Sequence, residues 1–470
     1  MSSTRIEKDS MGTMEVPGDA LYGASTQRAV LNFPVSGQRF GREFIRALGL
    51  IKLACAEANR ELGRLSEDRL KLIARAAQEV IEGKLDEHFP VDIYQTGSGT
   101  STNMNVNEVI GNRCSQLAGE PVGSKKPVHP NDHVNMGQSS NDIIPTAIHV
   151  AVGDRIRKHL MPALEHLNAA LDRKAVEFWD VIKIGRTHLM DATPVRLGQE
   201  FGGYAKQIEY SRLRAGNALA AIEELPLGGT AVGTGLNCHP DFPGIVMRHL
   251  WNQTGIAFRE ARNHFEAQAA KDGLVQASGQ LKTIAVSMFK IANDIRWLGS
   301  GPRCGIGEIL LPETQPGSSI MPGKVNPVIC ESVMQVCARV IGNDATVTWA
   351  AANGNFELNV MMPVLAHSIL ESLNLLANVA NVFREKCIVG IQANVARCNE
   401  LVEYSMAMVT SLAPIIGYDK AAEIAKTSAK TGKTVREICR EMQILPEAEL
   451  AKALDPYEMT KPGGEGSAGG

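Results

Sequence analysis

The sequence predicts a mainly α-helical, all-α type of fold organised as a bundle of long helices. Three observations lead there. Apolar residues recur at steps of three and four across 152–171, a heptad-like seam runs from 274 to 298, and the stretches between such segments are polar and glycine-rich. In the first segment Val152, Ile156, Leu160, Leu164, Leu167 and Leu171 fall on one face of a helix. In the second, Leu274, Leu281, Met288 and Ile295 share one heptad position. Ala277, Ile284, Ile291 and Leu298 hold the position three later, so both sets form a single stripe. A stripe of this kind needs partner helices, and such lengths predict a bundle whose faces continue into a neighbouring subunit.

Composition bounds the function. With 470 residues, 44% hydrophobic and 21% charged, the chain can bury a sizeable core. A net charge of −3 predicts neither a nucleic-acid partner nor an anionic membrane surface, so the charge that holds an anionic substrate must be local. The segment MSSTRIEKDS lacks the apolar core of a secretory signal, and Glu7 and Asp9 distinguish it from an acid-free transit sequence. Residues 404–418 are uncharged but short, and are interrupted by Pro414 and Gly417, so no membrane span is expected. Nine cysteines are scattered singly with no CxxC pair, which predicts reduced thiols and a cytoplasmic location. The tail GGEGSAGG at 463–470 has the composition of a disordered segment.

Six polar stretches carry the candidate chemistry: TGSGTSTNMN (96–105), HPNDHVN (129–135), QSSND (138–142), GRTHLMDATP (185–194), GGTAVGTGLN (228–237) and GSSIMPGKVN (317–326). Glycine interleaved with Ser and Thr presents backbone N–H groups and hydroxyls, a chemistry suited to a small polyanion. The same residue types also serve as helix caps and turns. Six such runs in one helical protein favour a site. No GxxxxGK[ST] or GxGxxG motif is present, so no nucleotide cofactor is expected. His129, Asp132 and His133 are close in sequence, but no second cluster completes a ligand set, so no metal is expected either.

GSSIMPGKVN resembles the signature loop of the fumarase/aspartase superfamily, and the other stretches fall where that superfamily has its active-site regions, over about residues 13–460. The resemblance implies an N-terminal domain (1–138), a central helical bundle (139–395) and a small C-terminal domain with the disordered tail (396–470). It further implies a homotetramer whose active sites draw loops from three subunits. Members share an anti-elimination that yields fumarate through a carbanion stabilised as an aci-carboxylate. By resemblance, Ser318 is the base and His188, paired with Glu331, handles water. Backbone N–H groups near Ser318 and Ser319 would form an oxyanion hole. Lys324, Val325 and Asn326 complete that loop's substrate contacts. Ser98, Gly99, Thr100, Ser139, Ser140, Asn141 and Thr187 would hold the carboxylates of a small dicarboxylate. His129, Pro130, Asn131 and Asp132 resemble a second dicarboxylate site.

The leaving group separates the activities within the superfamily. His188 stands where aspartases carry glutamine, and TGSGT and GNFELN (354–359) point the same way. The implied reaction is the reversible removal of water from L-malate, a hydro-lyase step of the tricarboxylic acid cycle. STNMN (101–105) and VIGNDATVTWAA (340–351) resemble aspartases and keep aspartate ammonia-lyase as the alternative, while Met136 and Met190 replace polar residues of many fumarases and bear on kinetics or substrate range more than on class. A catalytically silent structural member is the other alternative, disfavoured because Ser318, Lys324, Asn326, His188 and Glu331 are all present.

Overall fold

The computed structural model of the protein describes residues 4–462, and the glycine-rich segment 463–470 lies outside the described residues. In chain order, the hairpin β1 (Thr4–Asp9) and β2 (Gly12–Pro17) precedes α1 (Ala24–Asn32), α2 (Arg42–Glu61), α3 (Glu67–Ile81), α4 (Thr100–Leu117) and α5 (Ser140–Arg155). Then come α6 (Met161–Glu177), the antiparallel strands β3 (Ile182–Thr187) and β4 (Met190–Arg196), α7 (Leu197–Ala220), α8 (Phe242–Thr254), α9 (His264–Ala269) and α10 (Asp272–Leu298). The series continues with α11 (Val328–Ala351), α12 (Met362–Lys386) and α13 (Val395–Tyr404). The mainly helical expectation holds.

The chain divides into two compact units. The first takes residues up to 162 with 212–285 and 336–377; the second takes 163–211, 286–335 and 378 onward. In the first, α2 packs on α3, α5 and α8, and α4 on α3 and α5. The pattern that builds α2 is the spacing of Phe44, Leu48, Ile51 and Cys55, all fully buried, along one face. Lys52 sits in the midst of that face, equally buried. In the second unit, β3 packs on α13. Val402, Leu412, Ile424, Val435, Ile438 and Leu450 form an apolar core for the C-terminal residues.

Both predicted stripes are buried. Val152, Ile156, Leu160, Leu164, Leu167 and Leu171 are each 0% exposed. They lie along α5 and α6, joined by a π-helical turn, Ile156–Leu160, that carries the face through without a break. All eight seam residues of α10 are likewise buried within the single chain, so this stripe, expected to continue into a neighbouring subunit, is covered without one. Two of the polar stretches expected between helices are instead regular structure. Residues 101–105 lie inside α4, and 185–194 form the β3–β4 hairpin. All nine cysteines are free thiols, so no disulfide joins the described residues. Among those residues no helix is long and apolar enough to cross a membrane.

Candidate active site

In the first unit the site residues gather where two helices begin side by side. Ser98 and Gly99 precede α4, and Thr100 is its first residue. Gly99 has φ +72°, and a Cβ there would stand 2.9 Å from Ile144 of α5, so the turn and the close approach both require glycine. Gly97 is tighter still, since a Cβ would lie 1.8 Å from the Val360 carbonyl oxygen. The Ser98 and Thr100 hydroxyls are hydrogen-bonded to each other at 2.9 Å.

Ser139 is the N-cap of α5, closed by a capping box with Asp142. The Ser139 Oγ accepts the Asn141 N–H at 3.2 Å, and the Asn141 amide donates to the Ala231 carbonyl at 2.7 Å. Asp142 is fully buried. One of its oxygens accepts from the Ser139 N–H (2.9 Å), the other from Gly228 N–H (3.1 Å) and Thr230 N–H (2.9 Å). Burial pushes its pKa up to about 6, against the pull of those donors. The Asn103 amide of α4 donates to Ser140 Oγ at 3.0 Å, tying the two helix starts together. Two adjacent helix N-termini rich in hydroxyls and amides form an arrangement suited to an anion.

The stretch containing His129, Pro130, Asn131 and Asp132 makes a π-helical turn, Pro130–Val134. His129 Nδ1 accepts the N–H groups of Asn131 and Asp132, both at 3.2 Å, and His133 Nδ1 accepts the His129 N–H at 2.8 Å. Both rings are thus engaged as local caps. His129, Pro130 and Asn131 also line a cavity of about 530 Å³ with Glu108, Asn112 and Lys125. Among the described residues, no group of three or more His, Cys, Asp or Glu side chains is placed to hold a metal ion.

In the second unit Thr187 ends β3, and His188 with Leu189 makes the turn into β4, where Thr187 faces Met190. Both turn residues are left-handed, with φ +56° and +60°. That is the pattern of a type I′ turn, held here without the usual glycine, and it holds strain at the hairpin tip. Thr187, His188, Leu189 and Met190 are all exposed. The hairpin is anchored below its tip. Arg186 grips Glu308 with two parallel hydrogen bonds of 2.8 and 3.0 Å. Lys183, fully buried, reaches Glu308 at 3.3 Å, Glu200 at 3.1 Å and the Ile184 carbonyl at 2.6 Å. Replacing Glu308 by leucine leaves two cations without their shared carboxylate. We expect Glu308→Leu to destabilise the fold by about 3–5 kcal/mol, measured by urea unfolding, with Glu308→Gln losing clearly less.

The stretch 317–326 is an exposed loop pinched at its base. The Gly317 N–H donates to the Lys324 carbonyl at 2.8 Å, and the Asn326 amide donates to the Gly317 carbonyl at 2.7 Å. Asn326 is therefore engaged in holding the loop's ends. Ser318 Oγ accepts two backbone N–H groups, from Ile320 at 3.2 Å and Met321 at 3.0 Å. Both donors belong to the same loop, two and three residues beyond the serine. Ser319, Lys324 and Val325 are exposed beside it. Lys324, Val325, Asn326 and Glu331, in the first turn of α11, line a cavity of about 510 Å³ together with Arg296 and Glu313.

Among the described residues no hydrogen bond or ion pair joins His188 to Glu331, the pairing that the resemblance implies. The physical reason is that His188 sits on an exposed hairpin tip and Glu331 on a different element, α11. Sequence reasoning also missed Lys52, Asp142 and Glu308, which hold the candidate residues in place. A charged residue inside an otherwise apolar helix face, as Lys52 is between Ile51 and Cys55, was the available signal.

A family model described as lyase matches residues 12–342, and one described as fumarase C C-terminus matches residues 408–461. Fumarate hydratase class II of Halobacterium salinarum is 57% identical over 459 residues, covering 98% of this chain and 97% of that protein. The mitochondrial fumarate hydratase of Danio rerio is 51% identical over 460 residues, covering 97% and 90%. Among solved structures, the class II fumarase of Schistosoma mansoni matches with a TM-score of 0.94 at 40% identity, covering 97% of this chain and 99% of that one. With identity of this order along nearly its whole length and the same fold, the chain belongs to the class II fumarate hydratase family of lyases.

Proposed function

We propose that this lyase interconverts L-malate and fumarate, with Ser318 as base, His188 handling water beside Glu331, and the two helix starts holding the substrate carboxylates. The observation that carries the reading is the pair of backbone N–H groups on Ser318 Oγ. A serine is a weak base at its ordinary pKa, and two donors on the oxygen, with Lys324 on the same loop, lower the energy of its alkoxide. The alkoxide takes the C3 proton of malate. The electron pair left on carbon spreads into the adjacent carboxyl, where Lys324 offers positive charge and Asn326 the second N–H of its amide, the first being held by the Gly317 carbonyl. The C2–O bond then breaks, and the hydroxyl takes a proton delivered through His188 to leave as water. Thr187, at the end of β3, and Ser319, Val325 and the 98–100 and 139–141 segments contact the carboxylates. His129, Pro130, Asn131 and Asp132 form a second dicarboxylate site beside the 530 Å³ cavity.

The same reading makes the protein a cytoplasmic homotetramer acting in the tricarboxylic acid cycle, each active site completed by loops of different subunits. Exposed apolar side chains on the long helices support assembly: Tyr210 and Leu213 on α7, Val286 on α10, Ile341 and Trp349 on α11. It also divides the chain at about residues 138 and 395. The capping box at Ser139 and the separate apolar core of the C-terminal residues support those boundaries.

Supplied with L-malate, the purified protein is expected to produce the ultraviolet absorbance of fumarate, and to release no ammonia from L-aspartate. Efficient ammonia release would replace the assignment with the ammonia-lyase alternative.

A further inference from the structure

Lys52 lies in α2 of the first unit, 0% exposed, a cation on an otherwise apolar helix face. Its ammonium donates to three side-chain amide oxygens: Asn103 at 3.0 Å, Asn135 at 2.9 Å and Gln138 at 2.8 Å. Three donors meet three acceptors, so the tripod is fully satisfied. The acceptors are not scattered. Asn103 lies one turn into α4, just after Ser98–Thr100, and Asn135 and Gln138 lead directly into Ser139–Asn141. Asn103 also donates to Ser140 Oγ at 3.0 Å, and its amide lies 3.3 Å from Asn135 Oδ1. Further along α2, the Asn59 amide donates to the Met136 carbonyl at 3.0 Å, holding the same approach to α5 from a second point.

We propose that Lys52 is a positioning residue: through three amide oxygens it fixes the 98–100 and 139–141 segments in one register for the two ends of a dicarboxylate. The proposal rests on the reading that those segments bind substrate. Lys52 itself is sealed from solvent and touches no substrate, so its action passes through Asn103, Asn135 and Gln138. A charged donor beneath the acceptors is stronger than a neutral one, and its removal takes the donor from the Asn103 and Gln138 oxygens and leaves Asn135 Oδ1 only the Asn103 and Asn107 amides at 3.3 Å. Burial of the ammonium holds its pKa down to about 7, the electrostatic consequence of keeping a cation there. Because both carboxylates are held in substrate and transition state alike, loosening the register weakens both and shows mainly in KM.

The test uses the full-length protein. Lys52→Met keeps the length of the side chain and removes the charge and the donors. Expected are KM values for L-malate and fumarate raised about 10- to 100-fold with kcat near parental, and an equal rise in the inhibition constant of succinate, which binds without reacting. A folded Lys52→Met with unchanged KM overturns the proposal. Because the variant leaves buried acceptors unpaired, Asn103→Ala is measured beside it; it breaks one leg of the tripod and the link to Ser140. A raised KM in Asn103→Ala supports the register, and parental KM in that variant overturns it. Thr100→Ala and Asn141→Ala separate the two levels. If these raise KM while the Lys52 and Asn103 variants do not, the positioning role fails alone. If none of the four moves KM, the binding assignment of the two segments fails with it.

Discussion

Ser318→Ala is expected to lower turnover of L-malate by about 10²–10⁴-fold while the KM stays near its parental value. The serine's oxygen is the proton acceptor in the proposed mechanism, and the carboxylate-binding groups of 98–100 and 139–141 lie on other segments and are left intact. Alanine also removes the acceptor of the Ile320 and Met321 N–H groups, so the loop's thermal stability is compared in parallel. His188→Asn is expected to lower turnover strongly as well, through a different step. In deuterium oxide the histidine variant still exchanges the C3 proton of malate, because carbon deprotonation precedes the departure of water. The serine variant does not. Exchange at the parental rate in Ser318→Ala would show that another group takes the proton, and the two N–H groups on Ser318 Oγ would then be a turn and no more.

How far the residues alone carry this picture differs between its parts. The two apolar stripes were legible because burial on a helix face leaves a period in the sequence, and all fourteen of their residues are buried. The 185–194 hairpin was not, because its turn uses His188 and Leu189 where the ordinary signal is Asn-Gly. The strain of two left-handed side chains is held by the Arg186–Glu308 grip, a contact between residues 122 apart in sequence that no local pattern announces. The types of the site residues were visible, and the signature stretch identified the family. What the sequence could not show is which group serves which: that the backbone donors of 320 and 321 point at Ser318, that Asn326 closes its own loop, or that a buried lysine ties together two helix starts. The lysine's ties span 51 to 86 residues, beyond any local pattern, while those of Ser318 and Asn326 are local turns whose donors and acceptors the residue types alone do not assign.

The separation of His188 from Glu331 within one chain leads to the second large effect. Mixed tetramers of His188→Asn and Lys324→Ala chains are expected to recover activity that neither variant has alone. Each substitution removes one group from every site of its own homotetramer, so both parents stand at background. In the proposed assembly His188 and Lys324 of one site come from different subunits. Random mixing then leaves roughly one site in four with both groups intact, and activity rises toward that fraction of the parental value. The single chain motivates the experiment directly: the ring of His188 stands exposed on a hairpin tip, and Lys324 is exposed on a pinched loop, with Glu331 lining the cavity beside it. In the proposed assembly a neighbouring subunit brings a carboxylate to the exposed imidazole and fixes its tautomer. The chains are denatured together, refolded, and separated by distinguishable tags so that mixed tetramers are verified before assay. Activity at background in verified mixed tetramers would mean that both groups of a site come from the same chain, and the shared-site assembly would fall.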